Sequence, residues 1–177
     1  MQPRCSARSN HAHRQDVRLS VERFSAEDRK RGAKIDHSIT RTVRVINSEV
    51  ENGEMLVTIE MDAAGDETRG LFTLAFDPAT LSFDQTSFPE TNESVTLGQE
   101  APGGTTTAVN AQSAATGHIT LYVDFAGALP SGTQKRLVTL RFRLTEGAAA
   151  DPKVTSEMLQ IINGSGTELK VRMKRED

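Results

Sequence analysis

The stretch Gly70-Leu71-Phe72-Thr73-Leu74-Ala75-Phe76-Asp77-Pro78-Ala79-Thr80-Leu81-Ser82-Phe83 decides the fold. Its first half alternates, with Phe72, Leu74 and Phe76 pointing one way and Leu71, Thr73 and Ala75 the other. A period of two marks a half-buried strand, because successive side chains leave a pleated strand on opposite faces. Asp77-Pro78 breaks the ladder, since proline has no N–H to give and aspartate favours turns. Leu81 and Phe83 resume the alternation at once. Two strands and a tight corner thus bring five large apolar side chains to one core, around which the rest of the chain can be arranged.

Working outward, the strand signals recur with turn signals between them, the pattern of a β-sandwich. Upstream lie Thr42–Ile46, the turn Glu51-Asn52-Gly53, and Met55–Met61 with Val57, Ile59 and Met61 inward and Thr58 and Glu60 outward. Downstream, Asp84–Gly117 is weakly patterned. It reads as a long surface excursion with strands at Ser94–Leu97 and Thr105–Asn110. In His118–Phe125, Ile119, Leu121, Val123 and Phe125 face in, while Thr120, Tyr122 and Asp124 face out. In Arg136–Leu144, Val138, Leu140, Phe142 and Leu144 face in. Met158–Ile162, the hairpin turn Asn163-Gly164-Ser165-Gly166 and Glu168–Met173 close the domain. The expectation is an all-β, eight- to nine-stranded jelly-roll sandwich over 38–177. Residues 1–37 read as a disordered or linker-like extension, in which Val17, Leu19 and Val21 alternate briefly and a short helix starts at Ser25 and stops at Gly32.

Charge is unevenly spread. Residues 1–36 hold nine Lys/Arg against five Asp/Glu, whereas 45–134 hold thirteen Asp/Glu and one basic residue, Arg69. An acidic middle argues against a nucleic-acid surface, because phosphate contacts need clustered Lys and Arg. The single cysteine, Cys5, excludes an internal disulfide and a cysteine-based zinc cluster. No apolar run of about 18 residues is present, and no apolar segment of a signal peptide is visible at the N-terminus.

The order and spacing of these patterns resemble the cohesin domain, over roughly residues 40–175. The marks are the entry strand at 53–61, of Gly-Glu-x-Leu-x-Val type, and Arg69 to Leu81, which is similar to the family's G-F-x-L-x-Y-D-P-x-x-L signature with Phe76 in place of tyrosine. Leu137-Val138-Thr139-Leu140-Arg141-Phe142 is similar to its L-A-T-L-T-F strand. The resemblance implies a jelly-roll sandwich that binds rather than catalyses. Cohesins bind dockerin modules through one sheet face, the calcium being held by the dockerin. Carried onto this chain, that face holds Arg69, Leu71, Thr73 and Ala75 together with Thr120, Tyr122 and Asp124. Arg69 and Leu71 occupy slots where the type I family offers Asn and Asp. The resemblance further implies a scaffold or interaction module of an extracellular or cell-surface protein, with a dockerin-like or other protein module as partner. The alternative is a carbohydrate-binding module with a polysaccharide ligand, which the absence of tryptophan disfavours.

Other candidates carry bland readings beside the sharp ones. His11 and His13 with Cys5 are either ligands of a metal or an incidental trio in a polar tail, the commoner case. His118 is a lone histidine at a strand start, and His37 has no evident partner. Asp62, Asp66 and Glu67 flank one turn; they are oxygen ligands of the kind calcium takes, or else a solvated acidic loop. Asp77 reads as the cap of its own turn. No cofactor is implied. Tyr122, the only tyrosine, is the strongest contact candidate, because aromatic anchors are enriched in binding hot spots. It would be packing instead if the 98–116 excursion covered its face.

Overall fold

The computed structural model describes residues 35–84, 94–148 and 151–174, and side chains from Ile39 onward. These residues belong to one unit, Lys34–Asp177. The alternation at 17–21, the helix from Ser25 and the Cys5, His11 and His13 trio lie outside the described residues.

Ten strands follow in chain order: β1 (Ile35–Asn47), β2 (Glu54–Ala63), β3 (Glu67–Phe76), β4 (Leu81–Ser82), β5 (Val95–Leu97), β6 (Thr106–Asn110), β7 (His118–Asp124), β8 (Gly132–Leu144), β9 (Val154–Asn163) and β10 (Glu168–Lys174). The stubs β4 and β5, at the expected positions, both pair with β8. β1 and β9 are longer than their apolar cores suggest: β1 starts at Ile35, opposite Glu168, and β9 starts at Val154.

One hydrogen-bonded path, β4-β8-β2-β1-β10-β9-β3-β7-β6, curls back on itself. The curl occurs at β10, which runs parallel to β1 but meets β9 only at Glu168↔Ile162. Two layers result, β8-β2-β1-β10 with the stubs, and β9-β3-β7-β6. Between them pack the expected inward residues, including Val57, Ile59, Phe72, Leu74, Leu121, Val138 and Leu140. Phe142 of β8 joins the layers, with Phe76 of β3 edge-on at 5.2 Å and Phe83 at 5.1 Å between ring centres. Leu137 and Val138 are both buried, because a register shift opposite Ile59/Glu60 breaks the alternation of β8.

The corner after β3 is held as expected: Asp77 Oδ1 accepts the Ala79 N–H at 2.9 Å, and its carbonyl accepts from Thr80 and Leu81. Next to this corner, Gly117 (φ 81°) accepts the Phe76 N–H at 2.8 Å on its carbonyl. A Cβ at Gly117 would collide with the Phe76 carbonyl oxygen.

One charged cluster sits inside. Arg41, 1% exposed, donates from Nε to Oε1 of Glu67 at 2.9 Å, from Nη2 to Asp66 Oδ1 at 2.6 Å and from Nη1 to the Ile39 carbonyl at 2.8 Å. Glu67, fully buried, also accepts the N–H groups of Ala64 at 2.8 Å and Gly65 at 3.0 Å. The acidic turn is thus answered by arginines of β1, with Glu67 buried and Asp66 and Asp62 still partly exposed. Asp66 and Glu67 hold Arg41, and Asp62 takes both ends of the Arg44 guanidinium at 2.9 and 2.7 Å. Burial alone would raise the Glu67 pKa; the Ala64 amide and the Arg41 guanidinium outweigh it and hold the carboxyl below its ordinary value.

Removing one member of a buried pair strands the other charge, so Glu67→Gln is expected to cost about 3–5 kcal/mol in urea unfolding. A depressed carboxyl contributes stability that is complete above its unfolded pKa and lost as pH falls through the folded one. Unfolding free energy should accordingly hold from neutral pH to about pH 5 and then decline, less steeply in Glu67→Gln than in the wild type. Gly117→Ala should lower stability by more than about 1 kcal/mol in the same titration.

Candidate functional site

The outer face of β9-β3-β7-β6 gathers the candidate residues by register alone. Across β3 and β7, Arg69 lies opposite Asp124, Leu71 opposite Tyr122, Thr73 opposite Thr120 and Ala75 opposite His118. β9 adds Ile162, Gln160 and Met158 beside Arg69, Leu71 and Thr73, and β6 adds Thr106, Ala108 and Asn110 beside Asp124, Tyr122 and Thr120. The 98–116 excursion therefore runs alongside Tyr122 as the edge strand β6.

At one end, Asp124 organises its neighbours. Its Oδ2 accepts the Tyr122 hydroxyl at 3.2 Å and lies 3.8 Å from Arg69 Nε, while Oδ1 accepts the Ala126 N–H at 3.0 Å. Tyr122 is half-buried, its ring body on the sheet and its hydroxyl fixed by Asp124. At the other end, His118 Nε2 sits 3.3 Å from Glu157, and its Nδ1 2.9 Å from the Thr116 carbonyl. Ala75 lies between these two side chains and is small enough for the pair to meet across β3. Glu157 reaches it because it is the extra residue of a register shift between Thr73 and Leu74.

The middle of the face is uncharged. Thr73 and Thr120 bring their hydroxyls to 3.5 Å, and Met158 is 45% exposed. Leu71 occupies the expected face but is only 3% exposed. Leu71 and Ile162, both buried, stand outside the main core cluster; Tyr122 and Gln160 flank Leu71 in register, and Gln160 is tied to Glu168 at 3.2 Å. Leu71 is thus a support beneath the face rather than a contact on it.

The opposite face is built differently. Arg44–Asp62, Arg136–Glu60 and Arg141–Glu54 form ion pairs across β1, β2 and β8. Covering that ladder would strip water from its exposed charges, Arg136 above all, a cost that falls on any docking partner. The face of β9-β3-β7-β6 offers hydroxyls, amides, a methionine and charge pairs confined to its two ends. Its centre is poor in charge, as the centres of protein interfaces are. Met158, Gln160 and the His118–Glu157 pair were not singled out from sequence. The alternation of Met158, Gln160 and Ile162 was a usable signal, whereas the register shift at Glu157 was not.

No protein-family model matches the chain, nor does any curated protein. Solved structures do. The sixth cohesin of scaffoldin B from Acetivibrio cellulolyticus, in complex with a Cel5 dockerin mutant, matches with a TM-score of 0.60 at 15% identity, over 77% of this chain and 95% of that one. This domain has a cohesin-like fold. A non-cellulosomal cohesin from the archaeon Archaeoglobus fulgidus matches the cohesin-like domain at 0.56 with 15% identity, over 76% and 86%. A type I cohesin–dockerin complex from Clostridium thermocellum matches at 0.53 with 12% identity, over 80% and 91%.

Leu71→Ala is expected to destabilise the domain by about 2–4 kcal/mol, as a core truncation does. Thr73→Arg, on the same strand face, should stay within about 0.5 kcal/mol. Parallel urea titrations separate the support from the contact surface.

Proposed function

We propose that the cohesin-like domain is a non-catalytic protein-interaction module that takes a partner protein on the outer face of β9-β3-β7-β6. The observation that carries this reading is the distribution of charge on the two faces: charge pairs only at the ends of one, and three ion pairs interleaved with exposed Leu56 and the Thr58–Thr139 pair along the other. Arg69, Thr73, Thr120, Tyr122 and Asp124 form the contact set, with Met158 and Gln160 added and Leu71 beneath them. The partner is a dockerin-like module or another small fold whose own contact surface has an apolar centre. Support comes from matched cohesins that are bound to dockerins. The same likeness favours a scaffold role in an extracellular or cell-surface protein.

The test is direct binding of the full chain to a panel of type I and type II dockerins in calcium buffer, by biolayer interferometry. At least one dockerin should bind, and Thr73→Arg and Met158→Glu should each weaken it about tenfold or more without altering unfolding. Failure of every dockerin to bind would remove the dockerin-like partner. Retention on insoluble polysaccharide that is lost in Tyr122→Ala would instead make this a carbohydrate-binding module.

A further inference from the structure

An open sheet edge presents unpaired backbone groups, and folded proteins blunt such edges with charge, proline, bulges or brevity. The curled sheet has its free edges at β8, covered by the two-residue β4 and three-residue β5, and at β6. β6 is Thr106-Thr107-Ala108-Val109-Asn110, with no charge, no proline and an unbroken register to β7. Among the described residues, no strand lies against its other side.

The direction of its free groups follows from the neighbouring ladder. The Phe125 N–H is donated to the Thr68 carbonyl, and the Phe76 N–H to the Gly117 carbonyl. In an antiparallel ladder alternate residues turn their N–H and C=O to opposite sides. Ile119, Leu121 and Val123 therefore face β3, and Thr120, Tyr122 and Asp124 face β6. Their partners Asn110, Ala108 and Thr106 are the bonded residues of β6. Thr107 and Val109 turn their backbone N–H and C=O outward, away from β7.

This edge is complementary to itself. Laid antiparallel on a second copy about a two-fold axis at Ala108, it sets Thr107 against Val109 of the second copy, and Val109 against Thr107 of that copy. Each such pair exchanges two N–H···O=C bonds. Ala108 meets Ala108, the smallest side chain available on the axis, and Thr106 meets Asn110. No like charges are opposed anywhere along the five residues. We infer that β6 is a homodimerisation edge, through which two copies of this chain join into one continuous sheet. A two-fold axis perpendicular to the sheet keeps both outer faces on the same side. The pair would then present one eight-stranded platform with two partner sites; that consequence rests on the proposed function, whereas the pairing itself does not.

The test is sedimentation velocity on the full chain from about 10 μM to about 1 mM, with amide exchange followed at Thr107 and Val109. The wild type should shift from monomer to dimer with concentration, and those two amides should slow as it does so. Val109→Pro removes an outward N–H that β7 does not use, and Ala108→Lys places two like charges on the axis. Each should raise the dimer dissociation constant about tenfold or more, leaving thermal unfolding within a few degrees of wild type for the lysine variant. A wild type that stays monomeric throughout, or variants that dimerise as it does, would overturn the inference. So would a dimer whose Thr107 and Val109 amides exchange as fast as the monomer's.

Discussion

The Arg41–Glu67 pair is the constraint on which the rest of the sandwich depends. Arg41 belongs to β1 in one layer, and Glu67 opens β3 in the other. Neither charge meets water, so each must find its partners inside. Glu67 satisfies its remaining capacity with the amides of its own turn, and its carbonyl takes the Leu129 N–H at 2.8 Å. Through its carboxylate and its carbonyl, this one residue ties together the middle of β1, the β2–β3 turn, the first residue of β3 and the loop after β7. A buried ion pair adds little net stability compared with apolar packing. What it adds here is register: slipping β3 against β1 would leave an arginine and a glutamate buried without partners.

That register sets the outer face. With the start of β3 fixed, Arg69 falls beside Asp124, Thr73 beside Thr120 and Ala75 beside His118. The charges pair at the two ends and leave the centre neutral. On the other side charges run along the whole ladder, from nearly buried Glu60 to Arg136 at 68% exposure, each held by a partner on the neighbouring strand. The two faces of one sandwich thus differ in the work needed to dry them, which is the property a docking surface exploits.

Much of this was legible in the chain. The alternation in 70–76, 118–125 and 136–144 assigned the core side of β3, β7 and β8 correctly, and Asp77-Pro78 marked its corner, because these signals are local. What escaped has a common cause. Arg41 and Glu67 lie 26 residues apart, and nothing local distinguishes a buried arginine from a solvated one. Asp62, Asp66 and Glu67 read as a loop of carboxylates because the two arginines that answer them come from β1. Alternation also gives the side of a strand and not the depth: Leu71 sits on the expected face yet is sealed by neighbours from β7 and β9. The cohesin resemblance, drawn from motif order, corresponds to the fold found at 15% identity or less.

The central claim is that one face of the sandwich, and not the other, receives a partner. Hydrogen-exchange footprinting of the full chain, free and saturated with a bound dockerin, tests this most directly. The account predicts slowed exchange across β3, β7 and β9, with β2 and β8 unchanged apart from their core amides. Protection of the β2–β8 ladder face instead, or no change on β3, β7 and β9, would contradict it.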